Sequence, residues 1–154
     1  MKLFALLLSA VLLCFGSLHA VSPEDLDRLL GTKNCPLCNL RQAELEEALL
    51  TGADLRGADL IAAKMHRIDL RNAEMAEAKM SRADLRSADL RSAVLKSVNL
   101  IGADLRSANL MNANLDGATL IEAKLDYATL QGAVLCNTTL PDGRVEYSGC
   151  TLRE

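Results

Sequence analysis

From Leu40 to Leu140 every fifth residue is Leu or Met, a run of 21 positions, and the residue two places before each is Ala in 17 of them, the others being Cys38, Ile68, Val98 and Thr138. The unit reads A-(D/N)-L-x-x, as in Ala53-Asp54-Leu55-Arg56-Gly57. A period of five fits neither regular element. At about 100° per residue a helix would turn roughly 140° per unit and scatter the Leu set around its circumference. In one straight strand an odd period would send consecutive Leu to opposite faces of a sheet. The chain therefore has to turn a corner in every unit. Leu and Ala, two residues apart, then share the inward side of a short extended piece, and the two residues after Leu make the corner. The pattern predicts an all-β solenoid with an aliphatic column inside.

The flanks carry other patterns. Met1-Lys2, the apolar run Leu3 to Phe15 and Leu18-His19-Ala20 have the layout of a cleaved secretory signal over residues 1–20. The apolar run is too short to span a bilayer comfortably, so no stable membrane anchor is expected after cleavage. Lipidation at Cys14 is disfavoured by Leu13, which stands where a small residue belongs. Ser22-Pro23-Glu24-Asp25 offers an N-cap, Pro at the first helical position and acids in the first turn. A short helix is predicted over about Pro23 to Leu30, stopped by Gly31, with Leu26, Leu29 and Leu30 laid over the first coil. Pro141-Asp142-Gly143 signals a turn that closes the repeats. Arg144 to Glu154, with Val145 and Tyr147, is expected to form an extended flap over the last coil. Covers are needed because an open end exposes unpaired backbone and apolar core.

These residues resemble the pentapeptide-repeat family, and the resemblance runs over nearly the whole chain after residue 20. It implies a right-handed quadrilateral parallel β-helix with four repeats per coil, here about five coils with a short N-terminal capping helix, roughly 24 Å tall at one sheet spacing per coil. The implied division is a signal peptide at 1–20, an N-terminal cap at 21–37, the repeat β-helix at 38–140 and a C-terminal cap at 141–154. Thr32-Lys33-Asn34-Cys35-Pro36-Leu37-Cys38-Asn39-Leu40 and Cys136-Asn137-Thr138-Thr139-Leu140-Pro141-Asp142-Gly143 are similar to the opening and closing segments of an exported subgroup known from cyanobacteria. Members of that subgroup have no assigned activity, so the resemblance sharpens the fold and leaves the function open.

Composition agrees with a solenoid. With no Trp, two Tyr and two Phe, both Phe within the first twenty residues, the chain cannot build an aromatic-rich globular core. The net charge of −3 is spread as a mixed-sign surface. It lacks the basic footprint of a nucleic-acid binder, and no nucleic-acid partner is expected.

Loss of the first twenty residues removes Cys14 and leaves Cys35, Cys38, Cys136 and Cys150. An even count in an exported chain favours disulfides. On the coil that the resemblance implies, the first two lie at one end and the last two at the other, beyond the roughly 7 Å that bridged Cα atoms allow. The expected pairs are Cys35 with Cys38 and Cys136 with Cys150. The alternative for Cys35-Pro36-Leu37-Cys38 is a redox couple, but such couples sit at a helix N-terminus, whereas this motif follows a helix. A zinc site would need both Cys pairs together, and no metal is expected.

The surface offers few chemical constellations. His66 is the one histidine after residue 20 and stands alone at a corner, without a nucleophile and orienting acid at useful spacing. Glycines such as Gly52, Gly57, Gly102, Gly117 and Gly132 occur singly, so no phosphate-cradling loop forms and no cofactor is expected. A twenty-residue coil stacks Arg86 on Arg106 and Arg71 on Arg91, beside acidic columns Asp84–Asp104 and Asp69–Asp89, most simply a solvated ion-pair lattice. Another column holds Ile61, Ser81, Ile101 and Ile121, with Met111 on a neighbouring face. Apolar residues facing water mark a contact surface, although β-branched residues stacked across parallel strands also favour the sheet itself.

The leading function is a non-enzymatic, exported scaffold for structure or protein–protein contact, through an unknown protein partner or self-association at Ile61, Ile101 and Ile121. Periplasm, extracellular space or, in a photosynthetic source, the thylakoid lumen would suit it. Two alternatives are a DNA-mimicking gyrase-protecting protein, which is strongly acidic and cytoplasmic, and a thiol-disulfide redox protein using Cys35 and Cys38.

Overall fold

A computed structural model describes residues 21–150, so the signal segment read at 1–20 and the end of the flap, Thr151 to Glu154, lie outside the described residues. In chain order the named elements are the helix α1 (Pro23–Thr32) and two short strands, β1 (Thr138–Thr139) and β2 (Val145–Glu146). Between them the chain climbs as a coil. Single residues pair in parallel with the residue twenty places on, so Asn34, Asp54, Glu74, Val94, Asn114 and Val134 form one continuous column. Three further columns run through Asn39, Glu44 and Leu49 in the same way. Each coil thus has four sides, named below for Leu40, Leu45, Leu50 and Leu55.

The rungs are single residues rather than full strands because the corners use the adjoining backbone groups. The Ala43 N–H donates to the Leu40 carbonyl at 3.1 Å, and the same turn recurs in every later unit, as from Ala83 to Met80 at 3.1 Å. The second corner residue is always left-handed, with φ from 53° at Ser97 to 72° at Gly132. Glycine fills this place at only some corners; Glu47, Arg67 and Tyr127 take it too. A side chain there costs about 1 kcal/mol. Where a further coil follows, it holds the conformation, because the N–H of the same residue reaches it: Gln42 to the Ile61 carbonyl at 3.0 Å, Arg67 to that of Arg86 at 2.9 Å.

Inside, Leu55, Leu70, Leu85 and Leu100 are fully buried together with Ala53, Ala83 and Ala103. Met65, Met75 and Met80 replace Leu without leaving the core, and Ile68 and Val98 occupy Ala places. Each Leu withdrawn from water contributes roughly 1.5 to 3 kcal/mol before ordering entropy is subtracted. Thr138 also stands in the Ala column and is fully buried. Its hydroxyl donates to the Leu115 carbonyl at 2.7 Å, which satisfies the polar group.

At the N-terminal end the Ser22 Oγ accepts the Asp25 N–H at 3.3 Å and Pro23 begins α1. Ser22 also donates its own N–H to the Asn39 carbonyl at 3.0 Å, tying the start of the helix to the first coil. Two expectations need correcting. The helix runs through Gly31 to Thr32 and is stopped by Lys33, left-handed at φ 56°, whose N–H returns to the Leu29 carbonyl. Leu29 is fully buried, but Leu30, one residue on and about 100° around the helix, is 54% exposed and covers nothing.

At the other end Gly143 closes the turn on the Leu140 carbonyl at 2.9 Å. The chain then doubles back, with β2 antiparallel to β1, pairing Thr138 with Glu146 and Thr139 with Val145. This return strand is the flap, but Val145 and Tyr147 are exposed rather than turned onto the core. Val145 lies opposite Thr139, which is outward on its rung, and partners across an antiparallel pair share a side.

Candidate functional site

The Asp-Leu-Arg units make clamps rather than columns of cross-coil pairs. In Asp84-Leu85-Arg86 the carboxylate precedes the buried Leu and the guanidinium follows it, so both project to the same outer side. Arg86 donates from Nε to Asp84 Oδ1 at 2.8 Å and from its terminal nitrogen to Oδ2 at 2.6 Å, while its backbone N–H reaches Oδ1 at 3.2 Å. The same fork joins Arg56 to Asp54, Arg71 to Asp69, Arg91 to Asp89 and Arg106 to Asp104. Bidentate, charge-assisted bonds of this kind favour the ionised acid. The Arg71 guanidinium accordingly holds the Asp69 carboxyl far below its ordinary value, with the Arg71 N–H and Thr51 assisting. Asp54, Asp84, Asp89 and Asp104 are lowered by the same cause, against a smaller rise from partial burial.

Cross-coil pairs do occur where no clamp forms, as between Lys64 and Glu44 at 2.8 Å and between Arg67 and Glu47 at 3.2 Å. A groove of about 280 Å³ follows the corner of Arg71, Asn72, Arg91, Ser92, Met111 and Asn112. Its two guanidiniums are already engaged by Asp69 and Asp89. An anion entering there would have to compete with a bidentate carboxylate.

The isoleucine column is uneven in its exposure. Ile101 and Ile121 stack on adjacent coils at 36% and 37% exposure, whereas Ile61 is half-buried and separated from them by Ser81. The exposed apolar step is therefore Ile101 with Ile121. His66 is half-buried at its corner, and its Nδ1 is shielded from water with no hydrogen-bond partner. The column sets it between Glu46 and Arg86, and no catalytic hydroxyl or thiol is brought to it among the described residues.

The cysteines fall into two bonded pairs, Cys35–Cys38 with an S–S distance of 1.97 Å and Cys136–Cys150 at 2.03 Å. Cys35 and Cys38 are fully buried beneath α1, and Arg28 approaches the Cys38 Sγ at 2.8 Å. Asp25 lies within 4.8 Å of both sulfurs. Bonded to each other, the sulfurs are not thiolate ligands, and the Arg28 cation beside them opposes a metal ion.

The sequence profile described as Pentapeptide repeats matches in 8 copies, over residues 38–75, 78–117 and 103–142. The chain belongs to the pentapeptide-repeat family. Among solved structures it is similar to the pentapeptide repeat protein alr5209 from Nostoc PCC 7120, at 40% identity and a TM-score of 0.51 over 52% of this chain and 66% of that one, just under two thirds of its length. A pentapeptide repeat protein from the Arabidopsis thaliana thylakoid lumen is 25% identical, with a TM-score of 0.52 over 69% of this chain and 70% of that one. HetL, from Nostoc sp. strain PCC 7120 and involved in heterocyst differentiation regulation, is 27% identical over 73% of this chain and 78% of that one, with a TM-score of 0.43. No curated protein matches.

Two surface features of this pentapeptide-repeat chain escape a reading of columns alone. The first is the clamp within each Asp-Leu-Arg unit, which the i, i+2 spacing on one outer side would have indicated. The second is Tyr127, 91% exposed at the last corner of the Leu45 side, where an aromatic in a left-handed position gives no sign of its neighbours.

Proposed function

We propose that this chain is an exported, non-enzymatic pentapeptide-repeat scaffold, a right-handed quadrilateral β-helix whose outer columns present a fixed surface to a protein partner. In this reading residues 1–20 direct export, 21–37 and 141–154 close the ends, and 38–140 carry the working faces. The observation that supports it is the contrast between the clamped Asp–Arg pairs, whose charges satisfy each other, and the exposed Ile101–Ile121 step. That step is held at coil spacing by the Gly102 N–H, which donates to the Ile121 carbonyl at 2.8 Å. A rigid apolar step is the part of such a surface that gains most from being covered.

The gyrase-protecting alternative is disfavoured by mixed charge, and the redox alternative by the burial of both Cys35 and Cys38, which blocks the approach of an attacking thiolate. The test replaces Ile101→Lys together with Ile121→Glu. Circular dichroism should be unchanged, while capture of a partner from the envelope or lumen fraction should fall at least tenfold. Unchanged capture profiles would return the column to a purely sheet-favouring role.

A further inference from the structure

The Leu40 side of the solenoid is continuous from end to end. Its outward column climbs through Asn39, Asp59, Lys79, Asn99, Thr119 and Thr139, and β2 adds one more layer, with Val145 opposite Thr139. Six spacings of about 4.8 Å make this side roughly 29 Å tall. Its middle layer is the rung of Leu100, where Ile101 faces water. Exposed apolar side chains gather on the same side, with Ile101 and Ile121 near the middle, Leu37 at the lower end, and Val145 and Tyr147 at the upper end.

The corner with the Leu45 side runs upward through Gln42, Ala62, Arg82, Gly102, Glu122 and Asp142. Arg82 stands one rung below the middle layer and Glu122 one rung above it. Both are exposed, and outside the clamps described above neither side chain has a partner among the described residues. Gly102 keeps the corner between them open. Arg82 leans over it, so that a Cβ on Gly102 would stand 3.7 Å from the Arg82 Cγ. The backbone fixes both positions: the Arg82 N–H donates to the Ile101 carbonyl at 2.9 Å and the Glu122 N–H to that of Pro141 at 3.1 Å.

A free cation one step below an apolar centre and a free anion one step above it form a self-complementary pattern. A two-fold axis laid against this side, at right angles to the solenoid and over Ile101, leaves each corner on its own edge and inverts the order of the rungs. Arg82 of each copy then meets Glu122 of the other, and two such pairs form. Ile101 meets its own counterpart, Ser81 faces Ile121, and Ile61 faces Pro141. At the ends Leu37 comes opposite the stretch from Val145 to Tyr147. The other charges raise no conflict. Lys79 faces Thr119 and Glu77 faces Gly117, while Arg41 and Arg144, which approach each other, are each held by an acid of their own chain, Asp59 and Asp142. An axis along the solenoid would instead set Ile101 on Asn99 and Glu122 on Gly117, leaving that acid unmatched.

We propose that the Leu40 side is the docking site for a second copy of the chain, giving an antiparallel, side-by-side dimer held by two Arg82–Glu122 pairs around Ile101. This rests on the reading of the Ile101–Ile121 step as a working surface and names its occupant.

One side of a narrow solenoid is at the small end of specific interfaces, so association is read by sedimentation velocity of the purified chain over about 10 to 1000 µM, with both disulfides oxidised. A concentration-dependent rise to twice the chain mass is expected. Arg82→Glu alone and Glu122→Arg alone should each weaken it by about tenfold or more, because each sets like charges across the axis. Both sites are left-handed corners, a place that Glu47 and Arg67 also fill, so either residue type suits the fold, which circular dichroism checks. An equimolar mixture of the two single variants should associate as well as the unaltered chain, since one copy then brings two acids to the corner and the other two arginines. Contacts within one chain cannot produce that rescue. A single-chain mass at every concentration would overturn the proposal. So would a dimer indifferent to both variants, or a mixture no stronger than its components. The outcome is separate from partner capture. A monomeric chain whose capture still depends on Ile101 and Ile121 removes the dimer and leaves the proposed function, whereas the expected rescue beside capture indifferent to those residues removes the outside partner and leaves the dimer.

Discussion

Leu90 tests the inside–outside assignment most directly. It lies on the Leu50 side between Leu70 and Leu110, and all three are 0–1% exposed. Leu90→Ala removes roughly three methylene-sized groups, a transfer loss of about 2.4 kcal/mol. The surroundings cannot close much of the gap, because the coils on either side are pinned: Leu70 donates to the Asp89 carbonyl and Leu90 to that of Asn109, each at 2.8 Å. A residual cavity on the order of 50 Å³ adds about 1.2 kcal/mol at about 24 cal/mol per Å³, for a total near 3.5 kcal/mol. In a domain of this size that lowers the melting temperature by roughly 10 to 14 °C, followed by circular dichroism. Arg91→Ala, next in sequence but outward, should leave it within about 2 °C, since Asp89 is then simply solvated. Leu90→Asp should collapse the middle coils, because an unpaired carboxylate cannot stay ionised there without large cost. Equal melting of Leu90→Ala and Arg91→Ala would refute the assignment, as would a Leu90→Ala shift under about 3 °C.

Acid should weaken the fold through the clamps. Asp54, Asp69, Asp84, Asp89 and Asp104 have folded pKa values below their unfolded ones. Their contribution is therefore complete above the unfolded value near pH 4 and is lost as pH falls through the folded values. Urea midpoints should be flat from pH 7 to about 4.5 and decline below that; a rise on acidification would contradict the clamp geometry. The two disulfides should differ in access. Cys136 and Cys150 are half-buried at the return strand, whereas Cys35 and Cys38 lie fully buried under α1, so graded reduction with mass-mapped alkylation should label Cys136 and Cys150 first. The reverse order, or links other than these two in protein taken from its native compartment, would contradict the arrangement.

How far the fold was legible depends on which interactions a one-dimensional pattern carries. The five-residue period encodes corners and inward Leu, since each is a local consequence of side-chain direction, whereas the four-repeat coil is what the family resemblance implies. Substitutions within the pattern were harmless to it: Met65, Ile68 and Thr138 break the consensus and still sit inside. The helix start was legible at Ser22-Pro23, where chemistry and position coincide. Its end was not, because Gly31 advertises a left-handed stop that the chain takes two residues later at Lys33, where the first coil's geometry sets in. Left-handed corners at Glu47, Arg67 and Tyr127 were hidden for the same reason. At Glu47 and Arg67 the cost is met by hydrogen bonds to the next coil, which Tyr127 on the last coil lacks among the described residues, and no local propensity records that.

The surface divides along the same line. Asp84 and Arg86 were visible as a column with Asp104 and Arg106, yet the closest bonds join Asp84 to Arg86 within one unit, because the two emerge on one outer side while the next coil sets acid over acid. Stacking then brings like charges together, Asp104 above Asp84 and Asp89 above Asp69, and each acid of these pairs tolerates the other because its own arginine neutralises it first. The charged faces are therefore locally closed systems with little attraction left for a partner. What remains open among the described residues includes apolar and backbone groups: the Ile101–Ile121 step and the backbone N–H groups of Leu125 and Leu130 on the last coil. Neither could be told from composition, since isoleucine at an outer corner and leucine at an inner position are each ordinary until one knows which coil is the last.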